Sequence, residues 1–182
     1  EIETIFTYGV VFIFGLLIGS FFNVLIIRLT KNRSTVWPGS SCPHCNHKMT
    51  FFENIPLLSY IFLGGRCSQC KSKISIQYPI IEFITGYASV MLWFFIIKPF
   101  LTFPHPWWEY MIISLQTLSL LILIPVSVID IYHYIIPDSI SLGGLVIGIL
   151  IAFIPGGITP LQCLLGMLAG GGTLYLVGLI GE

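Results

Sequence analysis

Four of the five cysteines fall into two pairs, "CPHC" at Cys42 and Cys45 and "CSQC" at Cys67 and Cys70, with twenty-one residues between them. A C-x2-C pair aims two thiolates at one ion, and two pairs complete the tetrahedral donor set of a structural zinc site. Zinc is therefore the expected cofactor. Two disulfides or four uncommitted thiols are the alternatives, and a reducing compartment disfavours the first. His44 and His47 are possible substitute ligands. Four cysteines already satisfy the ion, so both histidines are expected to be exposed loop residues.

A second constellation is "VIDIYHYIIPD", Val128 to Asp138, which sets two aspartates eight positions apart in a chain with only eight acidic residues in 182. Both lie where a long apolar run ends. A carboxyl group withdrawn from water holds its proton more readily, which suits it to acid and base work. Two carboxyls that share a proton sit about 3 Å apart. Eight residues of unbroken helix advance about 12 Å, and although Pro137 breaks such a helix, nothing in the spacing folds the pair together. Asp138, between Pro137 and Ser139, is placed to cap the helix that follows. Asp130 is the candidate catalytic acid or base, with Asp138 the second choice, and it needs a partner from elsewhere. His133 is the nearby titratable alternative and is expected in a turn.

The elements that carry these residues are set by composition. At 55% hydrophobic and 9% charged, the chain is far from the usual soluble balance. The fold class expected is an all-α membrane protein, a polytopic helical bundle with a cytoplasmic zinc-binding loop module. Apolar runs of the length that crosses a bilayer, about 20 residues, extend from Ile5 to Ile27, Tyr78 to Ile97, Tyr110 to Ile129, Ser139 to Ile154 and Leu161 to Ile180. The fourth is short. Residues 1–29 are read as the first span, 30–77 as the four-cysteine module and 78–182 as four further spans. No nucleic acid is expected as a partner; the lipid bilayer is.

Seven of the eight Lys and Arg residues, Arg28, Lys31, Arg33, Lys48, Arg66, Lys71 and Lys73, lie between the first two apolar runs. By the positive-inside rule that loop is cytoplasmic, and so is the edge at Asp130. Phe100, Phe103, Trp107, Trp108 and Tyr110 read as an interfacial aromatic belt on the opposite side. The start "EIETIFTYG" has no cationic flank, so the first run is expected to be retained rather than cleaved as a signal. No Met stands at position 1, and a trimmed amino terminus is expected.

Three runs carry a Gly-x-x-x-Gly spacing, at Gly15 and Gly19, Gly144 and Gly148, and Gly166 and Gly170, which lets helix backbones approach closely in lipid. "GGG" at Gly170 to Gly172 is read as packing rather than a phosphate cradle, being embedded in an apolar run. Asn23, Glu82 and Asp130 are polar groups in apolar surroundings, and each needs a partner or a wet cavity. One cavity collecting all three is the site expectation; its rival is a Glu82 that merely pairs with Arg28 or Lys73. Cys163 is read as a small buried hydrophobe in mid-span.

"GSFFNVLIIRL" (Gly19 to Leu29), the two cysteine pairs, "NIPLLSYIFLGGRC" (Asn54 to Cys67), "ISIQYPIIE" (Ile74 to Glu82) and "DIYHYIIPD" (Asp130 to Asp138) follow one another in an order that resembles bacterial type IV prepilin peptidases, integral-membrane aspartic peptidases of the Gly-x-Gly-Asp type. The resemblance implies cleavage, at the cytoplasmic face of the inner membrane, of the basic leader of type IV prepilins and pseudopilins after a glycine. It also implies, for many members, methylation of the new amino terminus with S-adenosylmethionine; no binding site for that donor is readable. It maps the first catalytic aspartate onto Asp130. The second belongs to a Gly-x-Gly-Asp motif of a later span. No Asp follows Asp138 and the chain ends at "LIGE", so the carboxyl-terminal part with that motif is expected beyond Glu182. Thr30 and Gln77 depart from the family's common proline and arginine. The rival readings are a non-catalytic membrane scaffold whose zinc loop docks a partner, and a dimer in which two copies of Asp130 meet.

Overall fold

Inside lipid a backbone N–H or carbonyl finds no water, so an apolar run must satisfy its own hydrogen bonds as a helix. The computed structural model describes residues 2–31, 34, 39–156 and 158–181, and Arg33 of the basic loop lies outside them. Helix α1 spans Ile2–Leu29, and α2 is a five-residue helix, Leu58–Phe62, in the loop. Helix α3, Gln77–Leu92, continues through a π-helical turn, Trp93–Ile97, into α4, Lys98–Phe100. Then follow α5 (Trp107–His133), α6 (Asp138–Ile151) and α7 (Pro160–Gly181). A helix thus covers every predicted apolar run to within about a turn. Among the described residues there is no strand, only the antiparallel bridges Ser41 with Lys48 and Arg66 with Lys73. The fold is all-α.

Three helical stretches, Ile2–Leu29, Gln77–Phe100 and Trp107–His133, are long and apolar enough to cross a membrane. Helix α6, with 14 residues, is about 21 Å long, short of the hydrocarbon core of about 30 Å. The chain divides into two compact units, Glu1–Phe103 with Thr117–Pro137, and Pro104–Gln116 with Asp138–Glu182.

In the first unit α1 lies along α3, backbone against backbone at its glycines. A Cβ on Gly19 would stand 2.7 Å from the Glu82 Cα, and one on Gly15 would stand 2.7 Å from the Gly86 Cα. This first glycine pair does what its spacing predicts. Phe22, Ile26, Ile81, Leu121 and Ile129 form the buried core, so the later part of α5 packs there as well. Pro125 lies buried inside α5; it has no N–H to give the carbonyl one turn back. The helix ends at His133, ahead of Pro137, because Tyr134 turns into the left-handed region (φ +53) and its N–H returns to the Asp130 carbonyl (2.8 Å), a common helix stop.

In the second unit α7 opens with a reciprocal cap. The Thr159 N–H donates to Gln162 Oε1 (2.9 Å) and the Gln162 N–H to Thr159 Oγ1 (3.3 Å), with Pro160 following as the first helical residue, where a missing N–H costs nothing. Gly144, Gly148, Gly166 and Gly170 meet nothing within 4 Å. Their spacing is therefore not used for close approach among the described residues. Cys163 is half-buried and sits in the first turn of α7. It is neither buried nor mid-span, because α7 starts only three residues before it.

Replacing Gly19 with Ala is expected to destabilise the protein by about 1–3 kcal/mol, since the new methyl meets backbone that cannot step aside. Gly9→Ala on the same helix, with nothing within 4 Å, is expected to be neutral. Thermal unfolding of both variants in detergent checks the contrast.

Candidate functional site

The four cysteines sit on two copies of one turn. In the first, the Cys42 N–H donates to the His47 carbonyl (2.9 Å) and the Asn46 N–H to the Cys42 carbonyl (2.9 Å); in the second, the Cys67 N–H donates to the Ser72 carbonyl (2.9 Å) and the Lys71 N–H to the Cys67 carbonyl (3.1 Å). Asn46 (φ +56) and Lys71 (φ +58) take the left-handed conformation at matching positions. Cys42 and Cys67 are buried, Cys45 and Cys70 exposed. The two turns face each other, with all four Sγ atoms within 4.8 Å of one another.

The closest approaches are Cys42 to Cys70 at 3.8 Å and Cys45 to Cys67 at 3.9 Å. A regular tetrahedron with metal–sulfur bonds of about 2.3 Å has edges of about 3.8 Å, so the donor set fits a metal ion. The cysteines are free thiols, not disulfides. Their acidities diverge. The Cys45 and His44 N–H groups draw Cys42 down to about 6, while Cys45, which the His47 N–H favours as thiolate, is pushed up to about 11 by desolvation and by Cys70, Cys42 and Cys67. Four sulfurs this close cannot all ionise without a cation among them.

Neither histidine is a ligand. His47 instead meets Glu53 (3.1 Å), whose carboxylate also accepts the Thr50 N–H (2.8 Å) and Thr50 hydroxyl (3.0 Å). The Ser68 hydroxyl, Thr50 and His47 hold the Glu53 carboxyl down at about 2. This brace joins both turns, and the sequence reading missed it. Its one signal was that Glu53 is the sole acidic residue of a basic loop.

A separate polar cluster lies where the loop meets the helices. The buried Asn23 side chain on α1 donates to the Gly19 carbonyl (3.3 Å) and, across to α3, to the Tyr78 carbonyl (3.1 Å). Two carbonyl partners fix which amide atom is nitrogen, and Asn23 Oδ1 is left buried without a partner among the described residues. Glu82, also buried, accepts the Leu57 N–H (2.8 Å). Leu57 has φ +59, which a leucine rarely adopts. Among the described residues the partner found for the Glu82 carboxylate is the loop backbone at Leu57, not Arg28 or Lys73.

Asp130 is not part of that cluster. It is exposed at the end of α5, beside the fully buried Ile129. The single cavity expected for Asn23, Glu82 and Asp130 is therefore divided: α1 and α3 share the first two, whereas α5 turns Ile129 inward and Asp130 outward. His133, the last residue of α5, is exposed; Asp138 is exposed too and opens α6.

Helices long enough to span a bilayer and a four-thiol loop centre define a helical membrane protein with a metal-binding module. Comparison with known proteins narrows the class. Residues 13–96 match the bacterial peptidase A24 N-terminal domain, and residues 117–182 match the type IV leader peptidase family. Residues 117–182 are thus similar to the type IV leader peptidase family, and residues 13–96 to the domain that precedes it in bacterial A24 peptidases.

Among similar proteins, the prepilin leader peptidase/N-methyltransferase of Myxococcus xanthus is 39% identical over 142 residues, 78% of this chain and 39% of the relative. The protein of the same description from Aeromonas hydrophila is 32% identical over 194 residues, 93% of this chain and 62% of the relative. The type 4 prepilin-like proteins leader peptide-processing enzyme of Escherichia coli is 34% identical over 157 residues, 76% of this chain and 54% of the relative. The chain thus spans between 39% and 62% of the length of these relatives. No solved structure gives a significant match.

Glu82→Leu strands the Leu57 N–H in a part-buried site, and is expected to cost about 1–3 kcal/mol. Glu82→Gln, which keeps an acceptor, is expected to lose less. Chemical unfolding in detergent ranks the two; equal losses would show that the Leu57 contact is not the reason.

Proposed function

We propose that this chain is the part of a prepilin leader peptidase that carries its first catalytic aspartate, Asp130, and its structural zinc module. The observation that carries the reading is the placement of Asp130: an exposed carboxyl on the last turn of a span-length apolar helix. There it can meet a substrate that is itself a membrane helix with a polar leader. The match to the leader peptidase family over residues 117–182 includes that turn.

The reaction is hydrolysis by a water held between two carboxyls. One removes a proton from the water, and the other, protonated, polarises the scissile carbonyl. Asp130 supplies one of them, and the remainder of the protein supplies the other, in the Gly-x-Gly-Asp motif that the resemblance implies. Such a pair titrates as a unit. Asp138 is left the structural task of opening α6, where negative charge favours a helix start. Relatives named for an N-methyltransferase support a second activity with S-adenosylmethionine as donor.

Zinc is the ion that best suits Cys42, Cys45, Cys67 and Cys70, since four thiolates and a closed tetrahedron are its structural preference. Residues 30–77 form its module, between a first span and four further spans. The excess of Lys and Arg in this segment supports a cytoplasmic position for it, and for Asp130, at the inner membrane. Prepilin and pseudopilin helices are the substrates.

In the full-length protein, Asp130→Asn is expected to lower leader cleavage by about 10³-fold or more, and Asp138→Asn by less than about tenfold. A prepilin cleavage assay in detergent measures both; wild-type turnover by the Asp130 variant would overturn the assignment and favour the scaffold reading. Removal of zinc by a strong chelator, or Cys67→Ser, is expected to eliminate bound zinc and unfold the module, because metal binding supplies its folding free energy. Metal analysis together with protease sensitivity of residues 39–76 reads this out.

A further inference from the structure

The loop module wears its hydrophobic side outward. In α2, Leu58, Ile61 and Phe62 stand at the i, i+3, i+4 positions of one helical face. All three are exposed, Phe62 at 83%, while Ser59, Tyr60 and Leu63 on the other side are half-buried. The neighbouring turn, Phe52–Asn54, packs against α2 and adds Phe51 and Phe52, exposed at 80% and 77% with ring centroids 5.8 Å apart. In water this inverted amphipathic face would be a liability.

Two observations say what covers it. The first is depth. Leu57, immediately before α2, is tied to Glu82, five residues inside a 24-residue helical stretch that begins at Gln77. That stretch is about 36 Å long and the residue lies about 7 Å from its end. With the stretch centred on a hydrocarbon core of about 30 Å, Glu82 falls below the core's edge. A loop anchored at that level runs beside lipid.

The second observation is charge. Lys48, Arg66, Lys71 and Lys73 of the module are exposed, and Glu53 is its one carboxylate. Even with the two negative charges of a four-thiolate zinc centre, the module stays net cationic. An exposed apolar face on a net cationic module is the pattern of a segment that lies in an anionic membrane interface.

We infer that the α2 turn is a lipid-inserted wedge: Phe51, Phe52, Leu58, Ile61 and Phe62 enter the leaflet beside α3, so the module rides in the bilayer surface rather than projecting from it. Its partner is the anionic phospholipid bilayer itself. This stands apart from the peptidase reading, since it invokes neither Asp130 nor a substrate.

The test installs benzoylphenylalanine in place of Phe62, and separately of Phe52, in the full-length protein reconstituted into phosphatidylcholine–phosphatidylglycerol vesicles. Ile13, on the exposed flank of α1, is the lipid-facing reference, and Gln69, exposed at the tip of the second cysteine turn, is the water-facing one. After irradiation, phospholipid adducts at Phe62 or Phe52 are expected at a yield comparable to Ile13 and on the order of tenfold above Gln69. Adducts no more abundant than at Gln69 from both positions would overturn the proposal. So would adducts formed instead to a second copy of the chain or to an added prepilin, each distinguishable by mass.

Discussion

Two helix backbones that nearly touch make the rest of the first unit possible. Ordinary helix pairs lie 8–10 Å apart because side chains hold them there. Gly15 and Gly19 remove those side chains, and Gly86 offers none in return. Only at that separation does the short Asn23 side chain cross from α1 to the Tyr78 carbonyl. In a medium without water such a polar bridge has no competitor. One turn along α3, Glu82 extends the same polar seam to the loop through Leu57. The loop's position therefore follows from two small residues deep in the first helix.

Much of this was legible in the residues. The apolar runs mark the helices because their length coincides with what a bilayer requires, and the cysteine spacing marks a group that could hold a metal because few other chemistries use two C-x2-C pairs. The glycine spacings were legible only in part. Gly15 and Gly19 meet a partner helix whereas Gly144, Gly148, Gly166 and Gly170 do not, and spacing alone does not say which helix lies opposite. Grouping Asp130 with Asn23 and Glu82 failed for a related reason. A shared depth in the membrane does not fix the rotation of α5 about its axis, and the core claims Ile129, leaving its neighbour outside. The Glu53 brace and the Leu57 clamp were illegible, because each depends on a backbone turn with no marked local signature.

The metal module is assembled from cheap closures. Each cysteine pair closes over two intervening residues, and its turn is held by its own backbone bonds, from Cys42 to His47 and from Cys67 to Ser72. Joining the pairs closes a loop of about twenty-five residues, whose entropic cost grows only with the logarithm of its length. The brace of Glu53 to Thr50 and His47 shortens that loop before any ion is engaged. Each turn is thus closed locally by its own backbone bonds, and what remains for an ion to supply is the free energy that holds the two together.

Pro125 bears on the end of α5 in another way. With no N–H at that position, the carbonyl of Leu121 lacks its usual donor, and the rod is more compliant one turn before Ile129 and Asp130. Ile129, four residues on, is seated in the core, so the last turn of α5, and with it the level at which the Asp130 carboxyl stands, is held by a buried side chain where the backbone ladder behind it is missing a rung.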